Sequence, residues 1–463
     1  MRHLQDLNNK HILVMGLGLT GQSVLRFLNQ LQTKLDITVA AADSRTALPE
    51  SLLKTLTVPV QLGAFTAEQC QAADVLVVSP GISIAGEAIQ TAQKAGVIVL
   101  GDIELFALFY NEYLAKDCRL VAVTGSNGKS SVVTLVRDML QQSNQQVLLG
   151  GNIGTPALDL LNNYDHSINE NGAASINTFV LELSSFQLET TSSLVPNIAC
   201  VLNVSDDHMD RYSSFAEYAA TKRRIYANSQ YNLYNVDDAQ TYVPANCNQA
   251  SSASFSVSEN KASWGVNSQQ THILFNEEPF LNASDLAVVG RHNLQNVQAA
   301  AAIATHLGVD ATSIREAASA FAGLPHRCQL VANKRGIHWI NDSKATNAGA
   351  TIAAILGLRS LVSGRLALIA GGDSKAADLE PLRAVLAEHV DLLFAFGKDA
   401  AKLALLTDNH HHVGNLDEAV TCAANWGRSG DWILLSPACA SLDMFKNYEH
   451  RGTCFVAAVE ALS

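Results

Sequence analysis

The chain has 463 residues, more than one hydrophobic core usually organises, so two or three domains are expected. Hydrophobic residues make up 48% of it, enough for buried sheets, and a net charge of −12 without a long Lys/Arg cluster excludes an extended nucleic-acid-binding face. The opening residues Met1 to Asn8 lack a signal-peptide apolar core and no apolar run approaches about 18 residues, so a cytoplasmic protein without membrane insertion is expected.

Strand-like runs at His11–Met15, Ile37–Ala42, Val75–Val78 and Val97–Leu100 alternate with helical patterns, the signature of a parallel α/β sheet. A second series starts at Leu120–Val123, followed by the helical pattern Val132–Leu140, and continues through Thr178–Leu183 and Ile198–Asn203. A long helical pattern covers Ala299–Phe321, and a third series follows at Gly336–Ile340, Leu366–Ile369, Leu392–Phe396 and Trp432–Leu435. Three mainly parallel sheets imply an α/β chain of three domains, expected at 1–101, 102–323 and 324–463. The first junction falls within Gly101–Lys116 and the second at Gly323-Leu-Pro-His326, where glycine and proline interrupt the helical pattern.

Two stretches rich in Asn, Ser and Gln, Asn162–Asn177 and Asn246–Gln270, are expected to be surface loops or hairpin insertions. The tract His410-His411-His412 lies between helical patterns and reads as an exposed loop sooner than a metal site. Eight cysteines are scattered without CxxC or zinc-like spacing and read as small buried residues.

Gly16-Leu-Gly18-Leu-Thr-Gly21 follows a strand and opens a helix, with Asp43 ending the next strand, so it satisfies the dinucleotide fingerprint. Taken alone it suggests NAD, yet such a turn can hold the diphosphate of any nucleotide, and Thr20 with Ser79-Pro80-Gly81 would add polar contacts. No hydride-transfer site announces itself downstream, whereas a second phosphate loop does.

That loop is Thr124-Gly-Ser-Asn-Gly-Lys-Ser130, between an apolar strand and a helical pattern. Backbone N–H groups of such a turn and the positive helix end point at phosphate oxygens, a lysine neutralises the outer phosphates, and a hydroxyl can bind Mg²⁺. The full pattern has a glycine where Val123 stands, and the shortened form is more typical of ligases that activate a carboxylate with ATP.

Gly151-Asn-Ile-Gly154, Glu182-Leu-Ser-Ser-Phe-Gln187 and Asn203 to Tyr212 follow. A carboxylate and a histidine at adjacent strand ends, beside a phosphate loop, suit Mg²⁺: Ser130, Glu182 and ATP for one ion, with His208 helping a second. The bland alternatives are a structural ion pair for Glu182 and a helix cap for His208. By periodicity alone Lys222 is a solvated charge. In the last third, His326-Arg327, Asn341 to Asn347, Gly371 to Lys375 and Ser436 to Gly452 place basic residues and hydroxyls at strand ends, as a dicarboxylate substrate requires.

Together these segments resemble the Mur ligase family over nearly the whole chain. The most specific are Gly16–Gly21, Thr124–Ser130, Glu182–Glu189, His208–Tyr212, Gly290–Asn296, Leu324–Arg327, Asn341–Asn347 and Ser436–Gly452. The resemblance implies a Rossmann-like N-terminal domain, a P-loop ATPase-like central domain and a Rossmann-like C-terminal domain. It also implies an ATP-dependent ligase, working as a monomer, that joins D-glutamate to UDP-N-acetylmuramoyl-L-alanine through an acyl phosphate, with two Mg²⁺ ions.

Carried over residue by residue, it assigns ATP contacts to Gly125, Ser126, Asn127, Gly128, Lys129, Ser130, Ser131, Asn293, Asn296, Arg327 and Asp342. Leu19, Thr20, Ser44, Arg45, Ser79, Gly81 and Asn152 match the UDP-substrate site, and Lys344, Thr346, Lys375, Ser441, Leu442 and Tyr448 the D-glutamate site. Metal ligation falls to Ser130, Glu182, His208 and a carboxylated Lys222, and catalysis to Lys129, His208 and Lys222, which overturns the solvated-charge reading. Ser131 stands where a threonine is commoner, and the insertion Asn162–Asn177 has no assigned role. The competing readings are a related ligase adding another amino acid, a folylpolyglutamate synthase, a nicotinamide dehydrogenase built on Gly16–Gly21, and a non-catalytic nucleotide-binding regulator.

Overall fold

The structure, a computed structural model, describes residues 3–462 apart from 163–177, 246, 248–250, 259–261, 289 and 360–361. The expected insertion therefore lies, beyond Asn162 itself, outside the described residues.

Among the described residues, three sheets organise the chain. The first comprises β1 (Lys10–Met15), β2 (Ile37–Asp43), β3 (Val60–Leu62), β4 (Val75–Val78) and β5 (Ile98–Leu100), all parallel in the order β3-β2-β1-β4-β5. The second comprises β6 (Arg119–Thr124), β7 (Val147–Gly151), β8 (Thr178–Glu182), β9 (Ile198–Val201), β10 (Tyr231–Asn235), β11 (Ser251–Phe255), β12 (Trp264–Val266), β13 (His272–Phe275) and β14 (Glu278–Asn282). Its order is β14-β13-β12-β11-β10-β9-β6-β8-β7, parallel from β7 to β12 and closed by an antiparallel β12-β13-β14 meander. The third comprises β15 (Gln329–Lys334), β16 (Ile337–Asn341), β17 (Leu366–Gly371), β18 (Leu392–Phe396), β19 (His410–His412) and β20 (Trp432–Leu435), in the order β15-β16-β20-β17-β18-β19. Among the described residues only the β15–β16 pairing is antiparallel in that sheet.

Strands such as Val75–Val78 are buried along their whole length because helices cover both faces of a parallel sheet. Alternation along β1 sends Ile12 and Val14 into one core and Leu13 and Met15 into another. The helix Asp102–Tyr113 buries Ile103, Phe106 and Tyr110 in a core that also holds Val14 of the first sheet and Phe179 of the second. The first two sheets thus share one apolar mass. Among the described residues no helix is long and apolar enough to cross a membrane.

Three sequence expectations are corrected. The described part of Asn246–Gln270 contributes β11 and β12 to the parallel ladder, because its hydroxyls are paired inside: Ser256 donates to Asp237 at 2.6 Å while Phe255 and Trp264 enter the core. The helical pattern Ala299–Phe321 is two helices, Arg291–His306 and Ala311–Ala320, broken where Gly308 takes φ +82° and Asp310 caps the second through the N–H groups of Thr312 and Ser313. His410–His412 is an exposed edge strand beside β18 instead of a loop. Strands β3, β7, β10 and β13–β15 carried no signal strong enough to be expected.

Candidate active site

The carboxyl ends of the second and third sheets face each other across a cavity of about 220 Å³. The phosphate loop forms one wall. Gly128 has φ +80°, and a side chain there would meet Oδ1 of Asn296 at 2.4 Å, so glycine is required where the loop turns into the helix Lys129–Gln142. The loop is laced to the segment after β9: Asn203 accepts the Asn127 N–H at 2.8 Å, and the Ser205 N–H donates to Ser126 Oγ at 3.0 Å. Lys129 Nζ donates to the carbonyls of Gly125 at 2.7 Å and Ser126 at 2.9 Å.

Ser130 and Glu182 are both buried, and the hydroxyl donates to Oε2 of the carboxylate at 2.6 Å. Asn152 donates to Oε1 at 2.8 Å, and Arg327, from the third unit, donates to Ser130 Oγ at 2.7 Å. Burial alone would push the Glu182 carboxyl up, but Lys129, the Ser130 and Asn152 hydrogen bonds and Arg327 outweigh it and hold it below the usual range.

Lys222 lies on the helix Phe215–Arg223 yet is only 2% exposed, which corrects the solvated-charge reading. Its Nζ donates to Gly125 O at 3.0 Å and sits 4.5 Å from the Tyr218 ring centroid, one helical turn earlier. Burial, reinforced by repulsion from Lys129, holds this amine well below the ordinary lysine range. Lys129 is lowered too, first by burial.

His208 has φ +59° and stands edge-on to Phe186, with ring centroids 4.7 Å apart. Burial lowers its pKa to about 4, with Lys375 and Lys222 adding to the shift against Asp207, so the ring is neutral at pH 7. Lys375 Nζ lies 3.4 Å from His208 Nδ1 and 4.0 Å from Asp207. Lys344 stacks on the Tyr448 ring at 3.9 Å and is pushed down to about 8 by burial, then by Arg327 and Lys129. Thr346 and Asn347 line the same cavity, and Asn347 donates to Asp207 at 3.3 Å.

An adjoining cavity takes Asn127, Gly128, Ser131, Asn293, Asn296, Arg327 and Asp342 together. Asp342 accepts from Ser436 Oγ at 2.7 Å, and burial raises its carboxyl to about 7. Ser441 is buried and Leu442 is 71% exposed, and neither lines these cavities.

The residues expected to hold the uridine nucleotide gather elsewhere, at the carboxyl edge of the first sheet. Leu19 and Thr20 open the helix Leu19–Leu31, with Leu19 76% exposed, and Ser79 donates to Gly16 O at 2.9 Å beside Gly81. The helix enters so close that a side chain on Gly21 would meet Gly16 O at 1.8 Å. Asp43 accepts the Leu17 N–H at 2.7 Å and both Nε and an outer nitrogen of Arg45, next to Ser44; that guanidinium pair lowers the carboxyl to about 2. Asn152 stands apart from this group, on Glu182 in the central cavity.

Sequence reasoning assigned no role to Asp207, Phe186, Tyr218 or Asn347. Tyr218 was within reach of it, because it lies four residues before Lys222 on one helical face. The others depend on contacts between distant segments. The net charge of the whole chain is negative, yet Lys129, Lys222, Lys344 and Arg327 line the central cavity against the carboxylates of Glu182 and Asp207. Such a focus of positive charge suits a polyphosphate. Ser130 and Glu182 present two hard oxygens side by side, the donor chemistry of Mg²⁺.

Three family descriptions match the chain in succession: "Mur ligase MurD-like, N-terminal domain" over residues 10–101, "Mur ligase middle domain" over 123–304 and "Mur ligase, glutamate ligase domain" over 326–439. A protein of Pseudoalteromonas translucida named UDP-N-acetylmuramoylalanine--D-glutamate ligase is 44% identical over 100% of this chain and 99% of its own length. Proteins of the same name from Marinobacter nauticus and Haemophilus influenzae are 42% and 40% identical, each over 98% of this chain and 99% of their own length. Among solved structures, MurF from Acinetobacter baumannii superposes with a TM-score of 0.62 at 16% identity, covering 98% of this chain and 91% of that one. MurF ligase from Thermotoga maritima in complex with ADP superposes with a TM-score of 0.60 at 15% identity, covering 99% and 98%. At such identities the structures speak for the fold alone.

Proposed function

The chain belongs to the Mur ligase family and is an ATP-dependent ligase that adds D-glutamate to UDP-N-acetylmuramoyl-L-alanine in peptidoglycan synthesis, and we propose that it does so through the two adjoining cavities just described. The γ-phosphoryl group of ATP passes to the alanyl carboxylate, giving an acyl phosphate and ADP. The amine of D-glutamate attacks the acyl carbon; the tetrahedral intermediate then expels phosphate, and loss of a proton from nitrogen leaves the amide.

The observation that carries this reading is the convergence of the phosphate loop, the Ser130–Glu182 pair and the cations of the C-terminal unit on one cavity. Catalysis there is positioning and charge neutralisation. Asn293, Asn296 and Asp342 hold the nucleoside, while Gly125 to Ser131 and Arg327 hold its phosphates. Lys129 offsets charge on the transferring phosphoryl group, and neutral His208 orients the intermediate. Ser130, Glu182, His208 and a carboxylated Lys222 are the groups to hold two Mg²⁺ ions, which when bound neutralise phosphate charge. Lys344 and Thr346, with Lys375 beside His208 and Tyr448 under Lys344, receive D-glutamate, while Ser441 and Leu442, which line neither cavity, fall outside this proposal. ATP dependence fits a cytoplasmic location. The test is phosphate release with UDP-N-acetylmuramoyl-L-alanine, ATP and Mg²⁺: D-glutamate should support turnover, and turnover with diaminopimelate instead would redirect the assignment to another member of the family.

The glycine turn at Gly16–Gly21 should bind the UDP-substrate and not NAD. In a dinucleotide site the carboxylate after the second strand accepts from ribose hydroxyls, but Asp43 is committed to Leu17 and Arg45. Calorimetry decides it, since micromolar NAD binding without UDP-substrate binding would reverse the choice.

Lys344 offers a pH test. Its pKa of about 8 lies below the ordinary lysine value, so the cation is present below pH 8 and lost above it. Glutarate, which is D-glutamate's dicarboxylate skeleton without the titrating amine, should inhibit with a constant that is flat below pH 7. By pH 9 that constant should be about tenfold weaker, as one pH unit past the pKa demands. A flat profile to pH 9 would refute a lowered Lys344 amine paired with the carboxylate, and unchanged glutarate inhibition in Lys344→Ala would remove the residue from the site.

A further inference from the structure

Arg211 takes no part in the chemistry above, yet its guanidinium joins two units of the chain. One outer nitrogen donates to the carbonyl of Pro80 at 2.8 Å, and the other donates to Ile82 O at 3.1 Å and to Glu189 at 2.6 Å. Nε completes a two-point grip on Glu189 at 3.0 Å, and the guanidinium carbon lies 4.1 Å above the Phe186 ring. Both partners of the ion pair are about 10% exposed.

Each end of this grip leads to a different site. Pro80 and Ile82 belong to the turn after β4, where the Ser79 N–H donates to Met15 O at 2.9 Å and Ser79 Oγ to Gly16 O at 2.9 Å. That turn is therefore one piece with the Gly16 turn. At the other end, the Arg211 N–H donates to His208 O at 2.9 Å, and Phe186, beneath the guanidinium, is the ring that abuts His208.

We propose that Arg211 is a positioning residue that sets the register between the uridine-nucleotide turn and the reaction centre, so that the UDP-substrate's alanyl carboxylate arrives beside His208. The inference rests on the reading above, which puts the two ends of one substrate at these two places. An arginine suits the task because its planar fork satisfies a carboxylate through one edge and leaves N–H groups for two carbonyls, while its face covers an aromatic ring. A lysine ammonium cannot hold that geometry.

The test compares wild type, Arg211→Ala and Arg211→Lys by steady-state kinetics and by calorimetry with UDP alone. In both variants kcat/KM for UDP-N-acetylmuramoyl-L-alanine should fall on the order of 10²-fold, the cost of an ångström-scale misplacement. Affinity for UDP alone should be unchanged, because UDP needs only the first unit, and the KM for ATP should stay at the wild-type value. Wild-type kcat/KM in Arg211→Lys, or a loss of UDP affinity parallel to the loss of kcat/KM, would overturn the proposal. Should Arg211→Ala not fold, Arg211→Lys, which keeps a cation over Phe186, decides alone. Failure of the wild type to turn over with D-glutamate would sink the function itself, whereas normal variants beside an active wild type sink only the role of Arg211.

Discussion

Replacing Lys129 by alanine should abolish measurable turnover while leaving affinity for the UDP-substrate intact. Lys129 opens the helix behind the phosphate loop, and its ammonium spans the carbonyls of Gly125 and Ser126 at the mouth where phosphate oxygens would lie. The turn Gly16–Gly21 proposed to hold the uridine nucleotide belongs to another sheet, so the two binding events are expected to be separable. Loss of one preorganised charge contact to a transition state costs on the order of 3 kcal/mol or more, a rate loss of two orders of magnitude or greater. Phosphate release and UDP-substrate calorimetry on the same preparation measure both sides. Wild-type-like phosphate release would refute the assignment of the loop.

Lys222→Ala should lose most activity and regain part of it with acetate, and Lys222→Arg should lose it without rescue. The structure supplies the physical setting: a lysine 2% exposed, with its amine held well below the ordinary range by burial and by Lys129. A neutral amine is the form that attacks CO₂: the N–C bond forms, one proton leaves the nitrogen for solvent, and the carbamate puts an anionic oxygen donor where the amine stood. Its nitrogen keeps one N–H for the carbonyl of Gly125, now bonded at 3.0 Å. Acetate can occupy the anionic position that alanine vacates, whereas a guanidinium fills it with the wrong charge. Near-normal rates for Lys222→Ala without added carboxylate would defeat the carbamate and leave metal ligation to Ser130, Glu182 and His208. Carbon-13 bicarbonate with NMR detection of the wild type gives an independent reading.

Where sequence composition misled, the cause was pairing at a distance. Ser254, Ser256 and Ser263 look like solvated loop residues, yet Ser256 bonds Asp237 and Ser254 and Ser263 face each other between β11 and β12. Three consecutive histidines seemed unsuited to a strand, but at a sheet edge they need only one partner, and β18 provides it. The break at Gly308 was written in the chain, since Gly308 and Asp310 are a helix stop and a helix cap, and the apolar periodicity on either side concealed it.

The chain by itself determined whatever is local: apolar strands ending in glycine turns, the loop Thr124–Ser130 with its helix, and the fingerprint at Gly16–Gly21. Backbone sterics and hydrogen bonding act over a few residues there, so residue order is enough. Only the tertiary structure decided what rests on residues far apart in the chain. Arg327 reaches Ser130 across 197 positions and Arg211 reaches Pro80 across 131. The burial of Lys222 belongs with these. Its helix has no clear polar and apolar faces, and its amine leaves water only because the phosphate loop, Tyr218 and Asp207 close around it. Desolvation is a property of packing, and periodicity along one helix does not carry it.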